Sequence, residues 1–252
     1  MKRTLFSALA LVLLAAGQAP AARRPAPRRH APRNFYADGS PKKPEFALTF
    51  DDGPGYITED LLKLLAKRGV KATFFMIGYS VRAYPQRARD VAAAGNLVGS
   101  HTDTHENWYV LEKKGKGQAW LEGEFHKELT HAAASIEKAA GVRPRFLRMP
   151  NGYCRGWARK EAASMGYTMV NWSYGSDWTR KPEAQMTAEY LKAVRPGAIL
   201  LMHDGGGKNR EKTLRIVAAV LDEAQKKGLR PVRLDELLGL QESRQASANL
   251  VE

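Results

Sequence analysis

Seven short apolar runs punctuate this chain, and amphipathic helical patterns lie among them. The runs are Phe46 to Phe50, Thr73 to Ile77, Leu97 to Ser100, Phe146 to Met149, Tyr167 to Trp172, Ala198 to Met202 and Leu229 to Val232. Each is brief and rich in β-branched or aromatic residues, as buried strands are. The stretch "TEDLLKLLAKRG" offers Thr58 as an N-cap, Leu61, Leu62 and Leu65 on one face, and Gly69 as a stop. "EKTLRIVAAVLDEAQKKG" groups Leu214, Val217, Ala218 and Leu221 and ends at Gly228. Residues 120–140, 157–165 and 183–194 also read as helix. Strand then helix, repeated, implies a mostly parallel sheet with right-handed crossovers. About seven units suit an α/β barrel or a doubly wound sheet, and periodicity alone does not separate the two.

The two ends of the chain read differently from its body. Lys2 and Arg3 precede an apolar stretch from Leu5 to Ala16, and small residues allow cleavage after Ala19 or Ala21. Residues 1–21 therefore read as a secretory signal, too short to favour a stable membrane span. Residues 22–44 are rich in Pro and Arg and read as a linker. Of the +14 formal charge, +7 falls in residues 1–33, which hold seven basic residues and no acid. The body is only moderately basic, which suits an anionic cell wall. It has no aromatic-interleaved basic stripe, so nucleic acid is not an expected partner. The single cysteine, Cys154, excludes an intramolecular disulfide and a Cys-based zinc site. It reads as a partly buried small side chain.

Placement supplies the functional clue. Asp51 and Asp52 follow the first run, His101 and His105 the third, and Arg148 lies in the fourth. Asp177 and Trp178 come soon after the fifth, and His203 and Asp204 follow the sixth. In parallel α/β folds the C-terminal strand ends share one rim, where the chemistry gathers. Two histidines four apart in "SHTDTH" can hold one metal ion, with Asp51 or Asp52 as a third ligand. A two-His, one-carboxylate set leaves positions open for water and substrate, as a catalytic site requires. The aspartate that does not bind metal is then placed to take a proton from water, with Arg148 keeping it ionised. "DDGP" is also a good turn sequence in its own right. His203 reads as a general acid, with Asp177 or Asp204 on its far nitrogen. His126 and His131 read as surface residues, and His30 belongs to the linker.

"TFDDGP", "SHTDTH", "RMPNG", "SDW" and "LLMHD" occur in that order. Together they resemble the five motifs of the polysaccharide deacetylases, the NodB-homology group also called carbohydrate esterase family 4. The resemblance covers roughly residues 45–240. It implies a single domain over residues 45–242, a distorted (β/α) barrel of about seven parallel strands, with 243–252 as a tail. It also implies metal-dependent removal of N- or O-acetyl groups from polysaccharide. By resemblance, Asp51 is the base and Asp52, His101 and His105 are the metal ligands. His203 is the acid, Arg148 orients the base, and Asp177 tunes a catalytic group, His203 first. Trp178 and Leu201 are walls of the acetyl pocket.

The chain departs from the family pattern twice. Asn151 stands where the third motif usually has Tyr, at a position whose backbone N–H helps bind the oxyanion. An acid usual upstream of Asp177 is missing, since Tyr174, Gly175 and Ser176 supply none. The expected metal is one divalent ion, zinc by default, with Co2+, Mn2+ or Ni2+ also fitting. The expected substrate is peptidoglycan N-acetylglucosamine, ahead of chitin-type oligomers. The expected setting for a monomer of this kind is secreted or periplasmic, at the cell envelope. The alternatives are a non-catalytic glycan-binding protein and a small-molecule amidase on the same fold.

Overall fold

In the computed structural model, which describes residues 34–207 and 210–241, all seven expected strands lie in one parallel sheet. In chain order the strands are β1 (Phe35–Tyr36), β2 (Glu45–Asp51), β3 (Thr73–Met76), β4 (Leu97–Ser100), β5 (Phe146–Leu147), β6 (Thr168–Val170), β7 (Tyr174–Gly175), β8 (Ile199–His203) and β9 (Arg230–Val232). Their spatial order is β1-β6-β5-β4-β3-β2-β8-β7, and β9 also pairs with β2. The sheet curls into a half-barrel, so the distorted barrel architecture is borne out in an open form. β1 and β7 go beyond the seven expected strands. Each has two residues, too few for a periodic pattern to show in sequence. β1 falls in the stretch read as linker: Phe35 and Tyr36 pair with Met169 and Val170. The linker reading therefore stops short of residue 35. The signal segment and the tail lie outside the described residues.

The helices are α1 (Thr58–Lys67), α2 (Gly78–Ala83), α3 (Pro85–Ala93), α4 (Trp108–Lys113), α5 (Gln118–Ala140), α6 (Gly156–Ser164), α7 (Glu183–Ala193), α8 (Glu211–Lys226) and α9 (Leu234–Leu237). α1 and α5 to α8 lie where the apolar patterns put them. α2 and α3 are separated by Tyr84 at φ −131°, α3 opens on Pro85, and the two bury few large apolar side chains. That leaves too weak a stripe to read from sequence. Thr58 does not cap α1; the cap position is Ile57. Its hydroxyl instead accepts from the Gly55 N–H at 2.8 Å and donates to Asp204 Oδ2 at 2.6 Å. Among the described residues, no helix is long and apolar enough to cross a membrane.

Strand alternation explains how carboxylates enter the sheet interior. Along β2, Phe46, Leu48 and Phe50 pack with Leu61, Leu65, Ile216, Val217 and Val220 of the surrounding helices. Ala47, on the opposite face, packs with Phe75, Val170, Ile199 and Val232. Period two then turns Thr49 and Asp51 to the same inner side as Ala47. Burying each of the three large outer residues contributes roughly 1.5–3 kcal/mol. A one-residue slip would drive Asp51 among the helices, so this packing also fixes where the acid points. In register, Asp51 sits opposite Phe75 of β3 and His203 of β8, while Met76 sits opposite Ser100 of β4. The strand ends thus share one rim.

Candidate active site

At the rim, the two adjacent aspartates diverge because Asp52 takes a left-handed conformation, φ 68°. Asp51 Oδ1 accepts from Arg148 Nη1 at 2.8 Å. Asp52 Oδ1 instead lies 3.4 Å from His101 Nε2 and 3.3 Å from His105 Nε2. Asp52, Thr102, His105 and Asn151 are the non-glycine residues with positive φ among those described, and all four belong to loops of this site. Such conformations persist where the surroundings enforce them, and they concentrate at functional sites. Gly53 permits the bend after Asp52: a Cβ there would stand 2.3 Å from the Asp204 carboxylate.

Asp52, His101 and His105 each offer one donor atom, all within 4.8 Å of one another. Two observations test whether they fit a metal ion. His101 Nδ1 lies 2.6 Å from the Arg148 carbonyl oxygen, an acceptor, so Nδ1 carries a proton and Nε2 is the ring nitrogen turned toward Asp52. Asp52 Oδ1 is buried and receives no hydrogen bond. A buried oxygen without a donor is costly, and a cation would satisfy it. The donor set fits a divalent ion. Burial pushes the Asp52 carboxyl up, but the imidazoles of His101, His203 and His105 more than offset this and hold it well below the usual carboxylate range. Burial and the neighbouring His101 pull His105 down, which favours its neutral, ligating form.

The loop carrying the histidines is tied to α5. Glu128 Oε2 accepts from the N–H groups of Asp103 and Thr104, both at 2.8 Å, and Oε1 accepts from the Thr104 hydroxyl at 2.7 Å. Arg82 of α2 pairs with Asp103, Nη2 to Oδ2 at 3.0 Å. Arg148 is fully buried, and four of its five guanidinium N–H donors are engaged. Nη1 also donates to Thr49 Oγ1 at 2.7 Å, Nη2 to the Asn171 carbonyl at 2.9 Å and Nε to the Val170 carbonyl at 3.2 Å.

His203 ends β8, and its Nδ1 bonds Asp177 Oδ1 at 2.8 Å. Burial pulls this imidazole down, but the hydrogen bond and charge of Asp177 outweigh it, so the net shift is upward. Of the two acids considered for this role in sequence, Asp177 takes it. Asp204 turns away to Thr58, and burial pushes its carboxyl up to about 7. Tyr190 of α7 fixes the loop before Asp177. Its hydroxyl donates to the Leu201 carbonyl at 2.6 Å and accepts from the N–H groups of Ser176 and Asp177.

A cavity of about 410 Å³ is lined by Asp51, Asp52, His101, His105, Asn151, Trp178, Leu201 and His203. Arg148 and Asp177 stand behind this lining, each bonded to a group that faces the cavity. Trp172, Met149, Gly206 and Arg210 also line it and were not singled out in sequence. Trp172 ends an expected strand, a placement that could have marked it. Its ring meets Trp178 edge to face, and Trp178 in turn meets His203 at 5.3 Å. Two larger hollows near Arg143–Phe146 bring together no comparable set of metal donors among the described residues. His126 and His131 are exposed, as expected, and Cys154 is free and half-buried.

Known proteins share this arrangement of chain. The family model described as polysaccharide deacetylase matches residues 38–170. A chitooligosaccharide deacetylase of Bradyrhizobium sp. (strain ANU 289) is 32% identical over 206 residues, covering 77% of this chain and 90% of that protein. A peptidoglycan-N-acetylglucosamine deacetylase of Bacillus cereus is 33% identical over 196 residues, covering 76% of this chain and 87% of its own. Among solved structures, a peptidoglycan N-acetylglucosamine deacetylase superposes with a TM-score of 0.76 at 28% identity, over 84% of this chain and 96% of that one. The chain therefore belongs to the polysaccharide deacetylase family.

Proposed function

We propose that this protein hydrolyses acetamido groups of N-acetylglucosamine polymers, peptidoglycan first and chitin-type oligomers second. The observation that carries the reading is one cavity faced by a carboxylate, a three-donor cation set and a carboxylate-backed histidine. Relatives named as peptidoglycan and chitooligosaccharide deacetylases support the substrate class. Asp52, His101 and His105 would hold one divalent ion, zinc by default, with Co2+, Mn2+ or Ni2+ also suited to two imidazoles and a carboxylate. When bound, such an ion supplies Lewis acidity toward water and the acetyl carbonyl.

The remaining steps belong to the chain. Asp51, held in place by the Arg148 hydrogen bond, takes a proton from the attacking water as its oxygen bonds to the acetyl carbon. The backbone N–H at Asn151 donates to the tetrahedral oxyanion, so the side chain there need not be Tyr. His203 gives its proton to the departing nitrogen as the C–N bond breaks, leaving acetate and an amino sugar. Trp178 and Leu201, with Trp172, wall the acetyl group. An export signal over residues 1–21, and a linker that ends before β1, would deliver a monomer to the periplasm, envelope or medium.

Mass spectrometry of peptidoglycan, chitin oligomers and acetylated xylan, incubated with cation-loaded protein, tests this. Loss of acetyl mass from the first two, abolished by chelator and by Asp51→Asn, is the expected result. Intact acetylation of every glycan would leave a glycan-binding protein, and activity confined to monomers a small-molecule amidase. Substantial acetate release by Asp51→Asn would remove Asp51 as base.

A further inference from the structure

At the cavity wall, which Arg210 helps to line, the start of α8 closes on Asp177. Asp177 Oδ2 accepts from Thr213 Oγ1 at 3.0 Å and from the His203 backbone N–H at 2.9 Å. Arg210 Nη1 lies 3.8 Å from the same oxygen. Arg210 is itself clamped, with Nε donating to the Gly205 carbonyl at 2.9 Å and Nη2 to that of Gly206 at 3.4 Å. Thr213 is fully buried, on the face of α8 that also buries Ile216, Val217, Val220 and Leu221. Valine would fill that position equally well for packing. A buried hydroxyl is costly there unless its hydrogen bond is used.

With Oδ2 engaged by two donors and a nearby guanidinium, the carboxylate is held in one plane. Oδ1 is left to face His203 Nδ1, which fixes the Nδ1–H tautomer and leaves Nε2 to the cavity. We infer that Arg210 and Thr213 are positioning residues: they lock the Asp177 carboxylate so that His203 presents its proton to the leaving nitrogen. This rests on His203 being the general acid. It also gives Asp177 charged and polar support from α8, where the acid usual upstream of Asp177 is missing.

The test compares wild type, Thr213→Val, Thr213→Ser, Arg210→Gln and His203→Ala on an N-acetylglucosamine oligomer, together with 15N-histidine NMR of each protein. General acid catalysis is worth about 10²–10⁴ in rate, so a loosened acid should lose about tenfold in kcat. Thr213→Val is expected to show that loss with KM within about twofold, and with the His203 Nδ1–H signal shifted or gone. Thr213→Ser, which keeps the hydroxyl, restores both. Arg210→Gln reaches Asp177 independently and shows the same split, which keeps the test open should Thr213→Val not fold. Wild-type kcat in Thr213→Val and Arg210→Gln overturns the inference, as does a fall in kcat with the Nδ1–H signal unmoved. Wild-type turnover in His203→Ala removes the general-acid reading itself. A slow His203→Ala beside an unaffected Thr213→Val and Arg210→Gln removes only the inference.

Discussion

Arg148 Nη1 donates to Asp51 Oδ1 across 2.8 Å, with both side chains buried. The same guanidinium satisfies Thr49 and two backbone carbonyls. Removing it strands a charge and two carbonyls away from water. Arg148→Met is expected to destabilise the fold by about 3–5 kcal/mol, the usual cost of breaking a buried ion pair from one side. Urea denaturation measures this, and a loss under about 1 kcal/mol would contradict the account.

Gly206 touches the cation set more closely than any side chain could. A Cβ there would stand 2.1 Å from Asp52 Oδ2, at a φ of +67°. Gly206→Ala must therefore move Asp52 or the loop. The expected outcome is at least about a tenfold loss in zinc affinity by calorimetric titration. Stability in chelator should fall by only about 1–2 kcal/mol, the backbone cost of a left-handed alanine. Unchanged zinc affinity would show that Asp52 is not a ligand in the position seen.

Asp204 sets a pH dependence of opposite sign to that of an ordinary paired aspartate. Its carboxyl rises from 3.8 to about 7 because it is buried. Between those values the folded protein keeps a proton that the unfolded chain has released. This contribution to stability is present in full below pH 3.8 and is lost as pH rises through about 7. Against Asp204→Asn, wild type should lose relative stability across that window, by a few kcal/mol, and run parallel above it. Chemical denaturation at half-unit pH steps reads this directly. Parallel curves from pH 4 to 8 would mean that Asp204 is ionised in the fold.

Much of the site was legible because strand ends are legible. A short apolar run announces its own end, and Asp51, Asp52, His101, His105, Arg148 and His203 all sit at such ends. Period two even assigns Asp51 to the inner face. The supports were not legible. Glu128, Tyr190, Arg210 and Thr213 lie on or beside helices, and a polar residue there reads as surface whether or not it reaches inward. Glu128 contacts a loop 25 residues away, and Thr213 contacts Asp177 across 36. No local pattern encodes such a pairing. Strand-end placement alone left Asp177 and Asp204 open for the same reason, and the resemblance to the family was what favoured Asp177. Both lie close to His203 in sequence or in expected topology, and only the loop held by Tyr190 decides between them.

The β2–β8 register joins two stretches of chain that carry different chemistry. The three-donor set and Asp51 come from residues 51–105, while His203 and the groups that support it come from residues 177–213. Neither stretch borrows a ligand or a proton donor from the other. On the proposed roles, substitutions at His203 or Asp177 would silence turnover and leave Asp52, His101 and His105 in place. Such a lineage would pass from enzyme to receptor for the same sugar without refolding.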